Sequence, residues 1–150
     1  MRIIAGDKAR IRLLSPQGQS TRPITDRVKE TLFNILQYRL GESRVADLFC
    51  GTGSLGLEAL SRGASSALLV DKSREVLCRL RQNIEKCGFG PQTTVLKINL
   101  FAYPLAPDLI SHWNRLQPDL IFVDPPYGSS QDSTCQSPLG QLLGAIGEQS

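Results

Sequence analysis

Three acids stand where a polar ligand could be handled. Asp47 lies four residues ahead of a glycine run (Gly51, Gly53, Gly56), Asp71 lies twenty residues beyond Gly51, and Asp124 opens the sequence Asp124-Pro125-Pro126-Tyr127. Asp47 lies within the short apolar run Val45 to Phe49, Asp71 ends the run that starts at Ala67, and Asp124 follows a strand expected over Asp119 to Val123. A fourth polar residue, Asn99, follows the run Thr93 to Ile98 and precedes Leu100. After the glycines, Leu55, Leu57, Ala59 and Leu60 recur at helical spacing until Arg62-Gly63, so the turn opens onto a helix N-terminus with outward-pointing N–H groups. A turn of this kind holds a polar cofactor.

Gly51-Thr52-Gly53-Ser54-Leu55-Gly56 satisfies the dinucleotide pattern GxGxxG, and an acid about twenty residues on fits it too. Spacing alone leaves both a nicotinamide dinucleotide and S-adenosylmethionine open. Asp47 favours the second: a carboxylate there would face a dinucleotide's pyrophosphate, but would pair with the amino group of a methionine moiety. Asp124-Pro125-Pro126-Tyr127 after a later strand favours it as well. The cofactor set is Asp47, Phe49, Gly51, Gly53, Asp71, Asn99 and Leu100.

An exocyclic base amine is a poor nucleophile, because its lone pair is delocalised into the ring. Acceptors aimed at its N–H groups would favour a pyramidal nitrogen, direct the lone pair at a methyl donor and stabilise the positive charge that appears on transfer. Asp124 offers a carboxylate, the Pro125 carbonyl beside Pro126 a second acceptor, and Tyr127 a ring for a flipped base. These four residues form the candidate catalytic set.

The elements that must position these residues alternate as strand, helix, strand, which predicts an α/β fold with a parallel sheet whose strand ends converge on one crevice. Ahead of them, Thr25 is a candidate cap for a helix whose apolar face is Val28, Leu32, Ile35, Leu36 and Leu40, stopped by Gly41. Ser73 caps a helix facing inward through Val76, Leu77, Leu80, Ile84 and Cys87, and Pro107 begins one with Leu109, Ile110, Trp113 and Leu116. Trp113 reads as core and His112 as surface. Residues 2–6 and 9–14 read as short strands around Gly6-Asp7-Lys8, basic on one side and apolar on the other. From Gly128 the chain turns polar, with only Leu139 to Ile146 able to form a helix and no fifth strand. The expected organisation is a basic N-terminal β extension at 1–20, a cofactor-binding core at 21–127 and a polar segment at 128–150.

With 150 residues, 41% apolar and 21% charged, the chain has the balance of one globular domain. No apolar run approaches the roughly 20 residues that span a bilayer, so no membrane partner is expected and the cytoplasm is the expected compartment. Four cysteines without CxxC spacing and one histidine argue against a metal site, and the cysteines read as buried free thiols. Residues 1–30 hold seven Lys/Arg against three acids, whereas the whole chain carries only +3. A basic arm on a near-neutral body points to a phosphate-backbone partner, through Arg2, Lys8, Arg10, Arg12 and Arg22.

Residues 2–6 (RIIAG), 21–36 (TRPITDRVKETLFNIL), 47–64 (DLFCGTGSLGLEALSRGA) and 124–127 (DPPY), in that order, resemble the RsmD family of small-subunit ribosomal RNA guanine-N2 methyltransferases. The resemblance covers about residues 1–127. It implies a Rossmann-like class I S-adenosylmethionine methyltransferase with sheet order 3-2-1-4, and a target in ribosomal RNA or a small-subunit ribonucleoprotein. Guanine as the base follows from the resemblance alone. Carried over, Asp47, Gly51 and Gly53 would hold the methionine end, Asp71 the ribose, and Asp124, Pro125 and Tyr127 the target. The chain departs from the family at Asp71, where Glu is common, and at Asn99, where Asp is usual. The family fold also continues after DPPY, which makes this chain look short. Two alternatives remain: a non-catalytic RNA-binding remnant of the fold, and an exocyclic-amine DNA methyltransferase.

Overall fold

The computed structural model describes residues 1–15, 24–102, 104–126 and 137–148. A four-stranded parallel sheet lies at its centre, in the order β3-β2-β1-β4, with β1 Arg44–Leu48, β2 Ser66–Asp71, β3 Thr93–Lys97 and β4 Leu120–Val123. This is the predicted order. Successive side chains of β1 and β2 go to opposite faces, as strand geometry requires. Val45 and Leu69 enter one core with the helices α1 Asp26–Leu40, α2 Ser54–Ser61 and α3 Arg74–Cys87. Ala46, Leu48, Leu68 and Val70 enter the other, under α4 Pro107–Leu116 and α5 Pro138–Gly147. Both faces of β1 and β2 are therefore covered, which is why these strands read as continuous apolar runs.

The chain runs outward from β1 through β2 to β3, then crosses over by α4 to place β4 on the free side of β1, with Leu48 beside Val123. The sheet reverses direction of build between β1 and β4, and a crevice opens beyond their carboxyl ends. Local signals place the helices. Thr25 and Ser73 accept from Val28 and Val76 N–H as N-caps, and Gly88, in the left-handed region, closes α3. Trp113 is buried among α4, α5 and the sheet.

Three expectations need correction. On α1 the expected Leu40 is buried and Leu32 and Leu36 pack against the core, but Lys29 and Phe33 are buried as well, whereas Val28 is 56% and Ile35 74% exposed. The buried side therefore includes a charge, Lys29, which is paired there with Glu58 of α2 at 3.2 Å. The N-terminal arm pairs antiparallel, with Ile3 N–H donating to Ile11 O and Leu13 N–H to Met1 O, but forms one isolated bridge, Arg2 to Arg12, and no regular strands. Its backbone is diverted: the Ile4 and Ala5 N–H groups donate to the Glu58 carboxylate, and Gly6 and Arg10 take positive φ. Finally, Cys50 and Cys87 are buried but Cys78 is exposed. Cys135 lies outside the described residues.

Candidate cofactor and target site

The chain leaves β1 through a turn with positive φ at Phe49 (64°), Gly51 (56°) and Gly53 (89°). A side chain at Gly51 would meet nothing within 4 Å, so its backbone faces open space. At Gly53 a Cβ would overlap Leu80, and at Gly56 it would overlap Leu69. The glycines thus do different work: the first leaves room above the turn, and the other two let it sit tightly on α3 and β2.

Asp71, at the end of β2, grips the turn from the side. Its Oδ2 accepts from the Gly51 N–H at 3.0 Å and its Oδ1 from the Ser73 N–H at 2.9 Å. Each oxygen keeps a second lone pair. Asp47 lies beneath the turn, 1% exposed, its Oδ2 accepting from the Gly56 N–H at 2.9 Å. Burial pushes its pKa up to about 7, opposed by the Gly56 hydrogen bond and assisted by the negative charges of Asp124 and Asp71. Asp71 and Asp124 thus both act on the Asp47 carboxyl. Burial likewise raises the Cys50 thiol beside them, so it is no thiolate at neutral pH.

The structure brings Phe49 and Asn99 to the same crevice. The Phe49 and Phe101 rings lie 5.0 Å apart, and Asn99 Oδ1 accepts from the Phe101 N–H. Leu100 is buried in the core, so only its backbone can face a ligand. Asp124 is exposed at the end of β4, followed by half-buried Pro125 and exposed Pro126. Tyr127 lies outside the described residues. Beside Asp124 runs a groove of about 610 Å³, lined by Thr25 and Val28 of α1, Leu55 of α2, and Phe122 and Val123 of β4.

Arg2, Arg10 and Arg12 are exposed on the arm, Arg2 paired to Asp26 at 3.0 Å, and Lys8 is half-buried. Arg22 lies outside the described residues. Sequence reasoning missed two cations on α3 that join the arm: Lys86 donates to Arg12 O at 2.7 Å and Arg79 to Ser15 O at 3.3 Å. It also missed the buried pair Lys29–Glu58. The only signal was an acid amid apolar residues of α2, and hydropathy does not reveal what such an acid meets. Among the described residues, no group of acids, histidines and cysteines could hold a metal ion, and no helix is long and apolar enough to cross a membrane.

A parallel 3-2-1-4 sheet with a glycine turn after β1 and acids closing β1, β2 and β4 defines a Rossmann-like methyltransferase fold. Solved structures superpose on it: yhhF of Escherichia coli with a TM-score of 0.71 and 31% identity over 96% of this chain and 71% of that one. A hypothetical protein of Thermus thermophilus gives 0.74 and 28% identity over 98% and 78%. The chain belongs to the family described as "Conserved hypothetical protein 95", whose model matches residues 1–144. Among curated relatives, Ribosomal RNA small subunit methyltransferase D of Escherichia coli (strain K12) is 38% identical over 85% of this chain and 60% of its own length. The protein of the same name from Haemophilus influenzae is 36% identical over 85% and 64%. The chain thus spans about three fifths of the length of these relatives.

Proposed function

We propose that this chain carries the cofactor-binding and target-binding residues of an S-adenosylmethionine-dependent methyltransferase acting on the N2 amine of a guanine in small-subunit ribosomal RNA. The observation that carries the reading is that Asp47 and Asp71 accept from N–H groups of one glycine turn while Asp124 follows the neighbouring strand β4, its N–H donating to Leu48 O of β1. Three carboxylates repel a pyrophosphate but suit a cofactor bearing an ammonium and a sulfonium. The names of the curated relatives support the substrate class.

The donor set fits that cofactor. The open backbone at Gly51 leaves room for it, Asp71 keeps acceptor capacity for ribose hydroxyls, and the buried Asp47 carboxyl would be favoured in its ionised form by the methionine ammonium. Asn99 and the rings of Phe49 and Phe101 would border the adenine. The bound cofactor supplies an electrophilic methyl group. Asp124 accepts a hydrogen bond from the target amine, turns its lone pair toward that methyl, and stabilises the nitrogen as it becomes cationic. On transfer the nitrogen would gain the methyl as the cofactor's S–C bond is given up, and Asp124 would take the extra proton from the nitrogen and release it to solvent. Pro125 offers its carbonyl to the other N–H, and Tyr127 stacks on the base. The arm cations Arg2, Lys8, Arg10, Arg12 and Arg22, with Arg79 and Lys86, hold the phosphate backbone. The organisation into arm, core and polar segment, and a cytoplasmic setting beside the ribosome, belong to the same proposal.

Calorimetric titration with S-adenosylhomocysteine, with NADH in parallel, tests the cofactor, and single-turnover methyl transfer to small-subunit RNA tests the reaction. Saturable one-to-one binding of the first ligand alone, and transfer abolished in Asp124→Ala, are expected. NADH binding in preference to S-adenosylhomocysteine overturns the reading. Cofactor binding without any transfer leaves an RNA-binding remnant.

A further inference from the structure

Two buried polar side chains each hold both the basic arm and the cofactor turn. Asn83 of α3 is fully buried. Its Oδ1 accepts from the Leu14 N–H at 2.7 Å, and its Nδ2 donates to Leu14 O at 3.1 Å and to Thr52 O at 2.9 Å. Lys29 is 1% exposed; its ammonium donates to Arg2 O and lies 3.3 Å from Ser54 Oγ. It also pairs with Glu58, which accepts from the Ile4 and Ala5 N–H groups. Thr52 and Ser54 are the neighbours of Gly53, at the centre of the turn. Both ends of the arm are thus tied to the two residues flanking one glycine.

Such a bridge has few intermediate positions. If Leu14 withdraws, the Asn83 amide loses two of its three hydrogen bonds, and the Nδ2 donor keeps only the one to Thr52 O among those the described residues show. A filled apolar core would pin the arm as well, but it would not sense where the Thr52 carbonyl lies.

We propose that Asn83, seconded by Lys29, is a positioning residue that couples docking of the arm to the shape of the glycine turn, so that RNA engaged on the arm and cofactor held in the turn raise each other's affinity. A ligand that orders one end of the shared network spares the other ligand part of the ordering cost, and the effect is reciprocal. The coupling of RNA to cofactor rests on the proposed function; the coupling of arm to turn does not.

Amide hydrogen exchange in the ligand-free chain tests the latter. Leu13→Ala removes a buried arm anchor and loosens the arm. The readout is the Gly53 amide, which donates to Cys50 O, measured relative to Leu69 in β2 so that global opening cancels. With Asn83 present, Leu13→Ala should speed Gly53 exchange about fivefold or more; with Asn83→Leu the same change should stay below about twofold. Asn83→Asp keeps the acceptor for Leu14 and removes the donor to Thr52, and should behave like Asn83→Leu if that variant does not fold. Equal acceleration in both backgrounds, or none with Asn83 present, overturns the coupling. S-adenosylhomocysteine should then slow exchange at Leu14 as well as Gly53. Protection of Gly53 without Leu14 overturns the coupling. No protection at either, in a chain that passes the Leu13–Asn83 test, sinks the methyltransferase reading alone.

Discussion

Replacing Asp47 by Asn should make the ligand-free protein more stable at high pH. Asp47 is buried, and its pKa rises from 3.8 to about 7, mainly through burial. The folded state therefore holds a proton that the unfolded state releases, and the stability this contributes is complete below the unfolded pKa and lost as pH climbs through about 7. A rise of this size corresponds to about 4 kcal/mol in full, of which about 3 falls between pH 4.5 and 8.5. Asparagine is neutral throughout and can keep the bond from the Gly56 N–H through its amide oxygen, while its buried NH₂ needs an acceptor, at about 1–3 kcal/mol if none is found. The stability of Asp47→Asn minus wild type should therefore rise by about 3 kcal/mol from pH 4.5 to pH 8.5, leaving the variant about 1–3 kcal/mol ahead at the upper end. Urea unfolding followed by the single tryptophan, Trp113, which is buried, reads this directly. Taking the difference cancels the other carboxylates. A difference that moves by less than about 1 kcal/mol across that range refutes the argument that burial governs this carboxyl.

The same charge should matter in the opposite sense for ligand: S-adenosylhomocysteine affinity in the wild type should rise as pH passes through about 7, and calorimetry on Asp47→Asn should give weaker binding without that rise. Lys29→Ala strands part of the Glu58 charge and should lower stability by about 3 kcal/mol, whereas Lys29→Met with Glu58→Gln should recover at least half of it in urea unfolding. Gly56→Ala forces Leu69 aside and should cost about 1–3 kcal/mol by the same assay, with no change in far-UV circular dichroism. Asp119 binds Arg44 through both carboxylate oxygens, and this pair holds its pKa below the usual range. Its contribution should be present above about pH 4 and fade as pH falls, so Asp119→Asn should lower the urea midpoint at pH 7 and less so at pH 3.

The elements that carry the site were legible because their signals are local. Thr25 and Ser73 cap helices, Gly88 ends one, and the apolar runs before Asp71 and Asp124 are strands, the first buried and the second a half-buried edge strand. The strand order was legible through the family resemblance, not through periodicity. What sequence could not give is how α1 is turned. The stripe Val28, Leu32, Ile35, Leu36 and Leu40 looked the more apolar, yet the inward side contains a lysine. A buried charge is selected by its partner, and Glu58 lies 29 residues away. The arm was misread for a related reason. Its alternation is that of strands, with exposed Arg10 and Arg12 against buried Leu13, but side-chain acceptors on α2 take the N–H groups that a ladder would have used. Asp47, foreseen as a ligand contact, is legible as an acid beside the turn, while its depth below Gly56 follows only from the packing of α2 on β1.

The docking of the arm also bears on the order in which the protein comes together. Much of what fixes residues 1–14 is distant in sequence: Ile4, Ala5, Lys8, Arg12 and Leu14 bond to groups 53 to 74 positions later. Contacts that close such long loops cost chain entropy and are expected to form late in folding. The arm should thus be among the last parts to be fastened, since its Lys86 anchor lies 74 positions beyond Arg12.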